Sequence, residues 1–334
     1  MTTVAVLGAG SWGTTLADLL ARKGEAFEVR IWAHEPEVVD GINARHENSL
    51  FLAGCPLAPS LRACRDPLEA VAGADVILSA APSHAVRSVM GPVAGVVAPK
   101  ALVVSATKGI EPDSLKLMSE VLGEVVPQGR IAVLSGPSFA EEVYRREPTA
   151  VVAASTDRAS AESTQQVFAT GRFRVYSNQD VTGVELAGAL KNVIAIAAGI
   201  LEGMGLGNNP RAALITRGLA EITRLGVAMG ADPLTFSGLA GMGDLILTTC
   251  GALSRNRALG VALAKGVTLA EYTAQHRTVA EGVNTARAAS TLGARMAVEL
   301  PITAKVCEIL FDGKVPAVAV TELMERTLRA EQWR

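Results

Sequence analysis

Short aliphatic runs alternate with amphipathic stretches through the first half of the chain, and beyond about residue 178 the strand-like runs nearly vanish. Val4-Ala-Val-Leu7 is followed by a glycine-rich turn, and residues 14–23 carry helical apolar spacing that closes at Gly24. Residues 28–32 then read as a second strand, 67–72 as a short helix, and 74–81 as a strand ending at Pro82-Ser83-His84. Residues 86–97 read as a helix, and 101–105 and 131–134 as strands, with two further extended runs at 149–154 and 173–176. Strands rich in Val, Ile and Leu and interleaved with helices predict a parallel sheet covered on both faces. Ser177-Asn-Gln-Asp180 is rich in helix-capping residues, and the apolar spacing after it is helical. The pattern predicts an α/β domain over residues 1–178 and an all-helical domain over 179–334.

The turn Gly8-Ala-Gly10-Ser11-Trp12-Gly13 sits between the first strand and the first helix. That setting makes G-x-G-x-x-G informative, since three glycines alone would equally suit a flexible loop. In a doubly wound Rossmann sheet the first glycine permits the bend, the second lets backbone approach a pyrophosphate, and the third lets helix pack on strand. The free N–H groups of the helix start then face the phosphates. An acidic residue near the second strand's end usually bonds the ribose of NAD, and here that neighbourhood is Ala33-His34-Glu35. A neutral or cationic His34 tolerates a 2′-phosphate, whereas Glu35 keeps NAD open, so NADP or NAD remain alternatives. His34 also reads as a solvated loop residue.

A chain of 334 residues suits about two domains, and 49% hydrophobic content is enough for both cores. With 31 basic and 33 acidic residues, the net charge of −2 gives no global field for nucleic acid or an anionic membrane. Any anion site must therefore be local. Cys55, Cys64, Cys250 and Cys307 have neither zinc-ligand spacing nor a disulfide framework, which suits a reducing cytoplasm, and the four histidines suggest no metal site. The first strand starts at once, so a secretory leader is not expected. The most apolar stretch, 184–201, contains Glu185, Lys191 and Asn192 and reads as a buried core helix rather than a membrane insertion.

Ligands of such sheets gather beyond the carboxyl ends of the strands. This directs attention to Lys108, before Gly109, and to Gly136-Pro137-Ser138-Phe139-Ala140. Lys108 also reads as a surface lysine, and the glycine-proline turn as punctuation before a helix. Lys191 shares its helical face with Ala187, Gly188, Ile194 and Ala195. An ammonium there needs a partner or a task, and desolvation lowers its pKa toward a range useful for proton transfer. The alternatives are a structural ion pair and an acid/base. Asn192 beside it can orient a substrate hydroxyl or amide. Gly241-Met-Gly243 delivers Asp244, either a helix cap, a partner of Lys191, or a bond to a substrate hydroxyl. Ser254 precedes Arg255, Asn256 and Arg257, and two arginines at a helix start oppose the macrodipole unless an anion binds or solvent surrounds them.

Taken in order, Gly8-Ala-Gly10-Ser-Trp-Gly13, Ser105-Ala-Thr-Lys108-Gly109, Ser135-Gly-Pro-Ser138-Phe-Ala140, Lys191-Asn192, Gly241-Met-Gly243-Asp244, Ser254-Arg255-Asn256 and Val279-Ala-Glu281-Gly282 resemble the bacterial NAD(P)-dependent glycerol-3-phosphate dehydrogenases. The resemblance implies interconversion of sn-glycerol 3-phosphate and dihydroxyacetone phosphate for phospholipid synthesis, by a usually dimeric enzyme. It implies Lys191 as the catalytic acid/base. Lys108, Gly136, Ser138, Asp244, Ser254, Arg255 and Asn256 correspond to substrate contacts. Ser11, Trp12, His34, Lys108, Ala140, Arg255, Val279 and Glu281 correspond to cofactor contacts. Many relatives carry arginine where this chain has Ala33-His34, which bears on cofactor preference. The rival readings are a two-domain dehydrogenase of a carboxylate such as a 3-hydroxy acid or ketopantoate, and a non-catalytic dinucleotide-sensing regulator.

Overall fold

The computed structural model describes residues 1–276, 280–328 and 330–331. Its eight strands are β1 (Thr2–Leu7), β2 (Phe27–Trp32), β3 (Arg62–Cys64), β4 (Val76–Ser79), β5 (Leu102–Ser105), β6 (Arg130–Ser135), β7 (Thr149–Ala154) and β8 (Phe173–Asn178). They form one sheet in the order β3-β2-β1-β4-β5-β6-β7-β8. β1 to β6 are parallel, and the chain reverses direction across the sheet on either side of β1, as a doubly wound fold requires.

Alternate residues of β1 serve opposite faces. Val4 and Val6 pack with Leu16 and Leu20 of the helix Ser11–Ala21, while Ala5 and Leu7 pack with Val71, Val86 and Met90 on the other side. Both faces are therefore dry, which is why the strand reads as a continuous apolar run.

Three elements depart from the sequence expectation. The sheet is mostly but not wholly parallel, because β7 pairs antiparallel with β6 and β8 runs parallel to β7. Between β6 and β7 the chain forms only the five-residue helix Ala140–Tyr144. Such a helix advances about 8 Å, too little to return along a strand of about 20 Å, so β7 starts at the end where β6 stopped. Residues 86–97 are not one helix: Val86–Met90 is followed, past Gly91-Pro92, by a single 3-10 turn at Ala94–Val96. β3 is only three residues long, and neither it nor the helix Met118–Val125 is announced by the sequence pattern.

Beyond β8, Asp180 caps the 23-residue helix Val181–Gly203 by accepting from Gly183 N–H at 2.9 Å. This central helix is long and apolar enough to cross a bilayer, but 94% of its most apolar window is buried inside the protein. Leu186, Leu190 and Ile194 pack on Ile222 and Leu225 of the helix Asn208–Ala228. Val193, Ile196 and Ile200 pack on Leu259 and Leu263 of the helix Arg255–Ala264. Each such side chain stabilises the fold by roughly 1.5–3 kcal/mol. The helix is apolar all round because other elements surround it.

Candidate active site

The central helix carries Lys191 and Asn192 into this packed interior, each with 6% of its surface exposed. Two glycines make the approach of the next helix possible. A Cβ on Gly199 would lie 2.0 Å from the Arg257 carbonyl oxygen, and one on Gly260 would lie 2.0 Å from that of Ile196. The close crossing brings Asn256 to Asn192, with Nδ2 of Asn256 donating to Oδ1 of Asn192 at 3.0 Å. Oδ1 of Asn256 in turn accepts the Gly282 N–H at 3.0 Å. Three segments of the helical domain are thereby tied beside Lys191.

Asp244 begins the helix Asp244–Cys250 after a wide turn at Leu239–Gly243, and its surface is fully buried. The cap position itself belongs to Gly243, so Asp244 is not the N-cap that one sequence reading allowed. Its carboxylate bridges two lysines from different domains. Lys191 Nζ donates to Oδ1 at 2.5 Å, and Lys108 Nζ donates to Oδ2 at 2.7 Å. Lys191 Nζ also donates to Thr248 Oγ1 at 2.8 Å, and Lys108 Nζ to the Gly136 carbonyl at 2.9 Å. An ammonium has three N–H donors, so among the described residues each lysine keeps one for something else. Two ammonium groups share one carboxylate, so the centre carries excess positive charge when both are protonated.

Burial pushes the Lys191 ammonium down to a pKa of about 7, and nearby Lys108 pushes the same way against the pull of Asp244. The amine can therefore exchange a proton near neutral pH.

Lys108 follows β5 and Gly136 follows β6, so both stand at the carboxyl edge of the sheet. Ser138 Oγ donates to the same Gly136 carbonyl at 3.0 Å. The stem of Lys108 runs past Gly188 of the central helix, where a Cβ would meet it at 3.6 Å. Sequence positions 108, 136, 138, 191 and 244 thus form one centre at the junction of the two domains. Asn192 and Asn256 stand immediately beside it.

Ser254 caps the helix Arg255–Ala264 by accepting the Arg257 N–H at 3.2 Å. The two arginines of that first turn then part. Arg257 is held by Glu202 and by the Gly251 carbonyl at 3.1 Å. Arg255 is exposed and makes no ion pair among the described residues. It is the cation left open for an anion at this helix start.

The glycine turn fits a dinucleotide. Gly8 has φ +117°, and a Cβ there would lie 2.8 Å from the backbone of Ala80 and Ala81. Gly10, by contrast, faces open space, with no atom within 4 Å of an added Cβ. The helix Ser11–Ala21 has no side-chain cap and no acidic residue in its first turn. Trp12 Nε1 is buried there with no hydrogen-bond partner among the described residues. Unsatisfied donors around an open backbone suit a diphosphate. Ala140 lies alongside, its carbonyl accepting from Thr15 Oγ1 at 3.2 Å.

His34 is exposed beyond β2, its ring edge-on to Trp32 at 6.4 Å. It does not join the lysine centre, because β1 and β4 lie between β2 and β5. Three strand spacings are about 14 Å, a separation that an extended dinucleotide spans. Glu281 bonds Ser83 at the end of β4. Val279 lies outside the described residues. Thr248 and Ser83 were not chosen from sequence. The spacing of Thr248, one helical turn after Asp244, could have identified it.

This combination of glycine turn, open helix start and cationic centre between a Rossmann sheet and a helical domain defines a two-domain dinucleotide-dependent oxidoreductase. Residues 3–161 match the model of the NAD-dependent glycerol-3-phosphate dehydrogenase N-terminus, and residues 180–321 that of its C-terminus. A glycerol-3-phosphate dehydrogenase [NAD(P)+] of Geobacter metallireducens is 54% identical over 332 residues, covering 98% of each chain. The crystal structure of glycerol-3-phosphate dehydrogenase (gpsA) from Coxiella burnetii superposes with TM-score 0.93 at 41% identity, covering 97% of this chain and 99% of that one. A ketopantoate reductase from Ralstonia eutropha shares the fold, with TM-score 0.62 at 18% identity over 97% of this chain and all of that one. The chain belongs to the NAD-dependent glycerol-3-phosphate dehydrogenase family and is an NAD(P)-dependent oxidoreductase.

Proposed function

We propose that this chain interconverts sn-glycerol 3-phosphate and dihydroxyacetone phosphate with Lys191 as the acid/base, running mainly in the reducing direction to supply glycerophospholipid synthesis. The observation that carries the assignment is the one donor of Lys191 that no described residue takes. Asp244 and Thr248 take two of its N–H groups and fix the nitrogen, and the third is left for the oxygen on the substrate's secondary carbon. In reduction Lys191 gives that oxygen a proton, and in oxidation the neutral amine takes it back. Lys108 holds the same region positive, so charge developing on the oxygen is stabilised.

Arg255 and the N–H groups of the helix start grip the phosphate, with Ser254, Asn256, Asn192, Gly136 and Ser138 shaping the pocket between. Holding a remote anion converts binding energy into orientation at the reacting carbon. Gly8, Gly10, Ser11, Trp12 and Gly13 hold the cofactor's diphosphate, His34 the adenosine ribose, and Ala140, Arg255, Val279 and Glu281 the remainder. Bound there, the reduced nicotinamide supplies a hydride. Both NAD and NADP remain substrates in this reading, since His34 accommodates a 2′-phosphate without requiring one.

Residues 1–178 form the cofactor domain and 179–334 the substrate domain. The enzyme is a cytoplasmic homodimer, and the free state of all four cysteines supports the compartment alone. The test is oxidation of NADH and of NADPH with dihydroxyacetone phosphate beside unphosphorylated dihydroxyacetone. Turnover of the phosphorylated triose alone is expected. Equal turnover of both would remove the phosphate grip, and a 3-keto acid as better substrate would favour the carboxylate reading.

A further inference from the structure

Ser83, buried in the turn Ser83–Ala85 beyond β4, reaches across the domain boundary to Glu281, the first residue of the helix Glu281–Arg295. Its backbone N–H donates to Oε1 at 3.2 Å and its hydroxyl to Oε2 at 2.6 Å. The serine thus takes one acceptor position on each carboxylate oxygen, and an ionised carboxylate has about four. Gly109, next to Lys108, closes the other side, where a Cβ would meet Ser83 Cβ at 2.4 Å and Glu281 Oε2 at 3.2 Å. The carboxylate is therefore fixed beyond the ends of β4 and β5, against Gly109, the residue next to Lys108 of the reacting centre. Ligands of a doubly wound sheet lie along that edge.

We propose that Ser83 is a positioning residue, which orients Glu281 so that its remaining acceptor positions receive the sugar hydroxyls on the nicotinamide side of the cofactor. The inference rests on the dinucleotide reading given above and adds a residue to it. Alternatives for the pair are weaker. A purely structural latch has no need of a half-buried carboxylate whose other acceptor positions meet no donor among the described residues, since its partial desolvation carries a cost.

Glu281 must be ionised for this role. Burial pushes its carboxyl up, and the two bonds from Ser83 pull it back, aided by the nearby charges of His84 and Arg255. Removing the serine hydroxyl therefore raises the proton affinity of Glu281. Cofactor binding then weakens on acidification at a higher pH than in the wild type.

The test measures dissociation constants of NADH and NADPH on the full chain without triose, by quenching of tryptophan fluorescence, between pH 5.5 and 8.5. Ser83→Ala is expected to weaken binding roughly tenfold at neutral pH and to move the acid limb upward, since Glu281 loses the bond that orients it and favours its ionised form. Ser83→Thr, which keeps the hydroxyl, should restore most of the affinity. Glu281→Gln should flatten the acid limb, a second measurement that holds if Ser83→Ala folds poorly. Wild-type affinity at every pH in Ser83→Ala, with only a lowered Tm, would overturn the proposal. A wild-type chain that binds the cofactor yet ignores dihydroxyacetone phosphate would defeat the substrate reading alone, and the shift in binding would still support the role of Ser83.

Discussion

Lys191 Nζ lies 2.5 Å from Oδ1 of Asp244, on a carboxylate with no surface open to solvent. A buried ammonium is tolerable only when paired, and the same carboxylate serves Lys108 from the other domain. The contact between the domains and the charge of Lys191 are therefore linked through one side chain.

The coupling gives a pH dependence with opposite signs in the two directions. With Lys191 as the proposed acid/base, reduction of dihydroxyacetone phosphate draws on the protonated amine, so kcat should fall as pH rises through about 7, and oxidation of glycerol 3-phosphate should rise over the same range. Lys191→Ala should lose about 10²- to 10⁴-fold in kcat while still binding NADPH. Steady-state kinetics from pH 6 to 9 check both, and a flat profile would contradict the assignment.

Arg255→Ala should act on substrate affinity. Loss of a charge-assisted bond of about 1.5–3 kcal/mol predicts a rise of roughly 10- to 100-fold in KM for the triose phosphate, with a smaller change in kcat. Arg257→Ala should behave differently, because Arg257 is spent on Glu202 and Gly251 and its loss lowers Tm.

The glycines of the first turn separate binding from folding. Gly10→Ala adds a methyl group into open space, so Tm should hold while the dissociation constant of NADPH rises. In Gly13→Ala the new Cβ would lie 1.9 Å from the Gly8 carbonyl oxygen, so thermal melting should show destabilisation.

Glu185, on the central helix, is buried and accepts the Ser119 N–H at 2.9 Å and the Ser119 hydroxyl. Burial raises its pKa to about 7. The folded state thus holds a proton that the unfolded chain releases near 4.5, so the stabilisation is complete below 4.5 and is lost as pH rises through 7. Glu185→Gln should keep the contact with Ser119 and remove this loss, raising stability at pH 8 by up to about 3 kcal/mol with little change at pH 4. Denaturant melts at both pH values measure it.

Several features were legible in the sequence because they are local. The alternation of apolar runs and helical spacing, the turn from Gly8 to Gly13, and an amine at position 191 on an aliphatic helix all depend on neighbours within a few residues. From these follow the Rossmann sheet, the helical domain and the burial of Lys191. The order of the last two strands did not follow, since the short helix between β6 and β7 sets their direction by its length rather than by a pattern.

What the chain alone determined, then, was which residues would be buried and in what kind of element, because periodicity at 2 and 3.6 residues fixes the facing of each side chain. Only the tertiary structure decided which of them meet. Asp244 joins Lys191 across 53 positions and Lys108 across 136, and Ser83 joins Glu281 across 198. Such pairings arise from the packing of the helices on one another and of the helical domain on the sheet edge, and they leave no trace in local spacing.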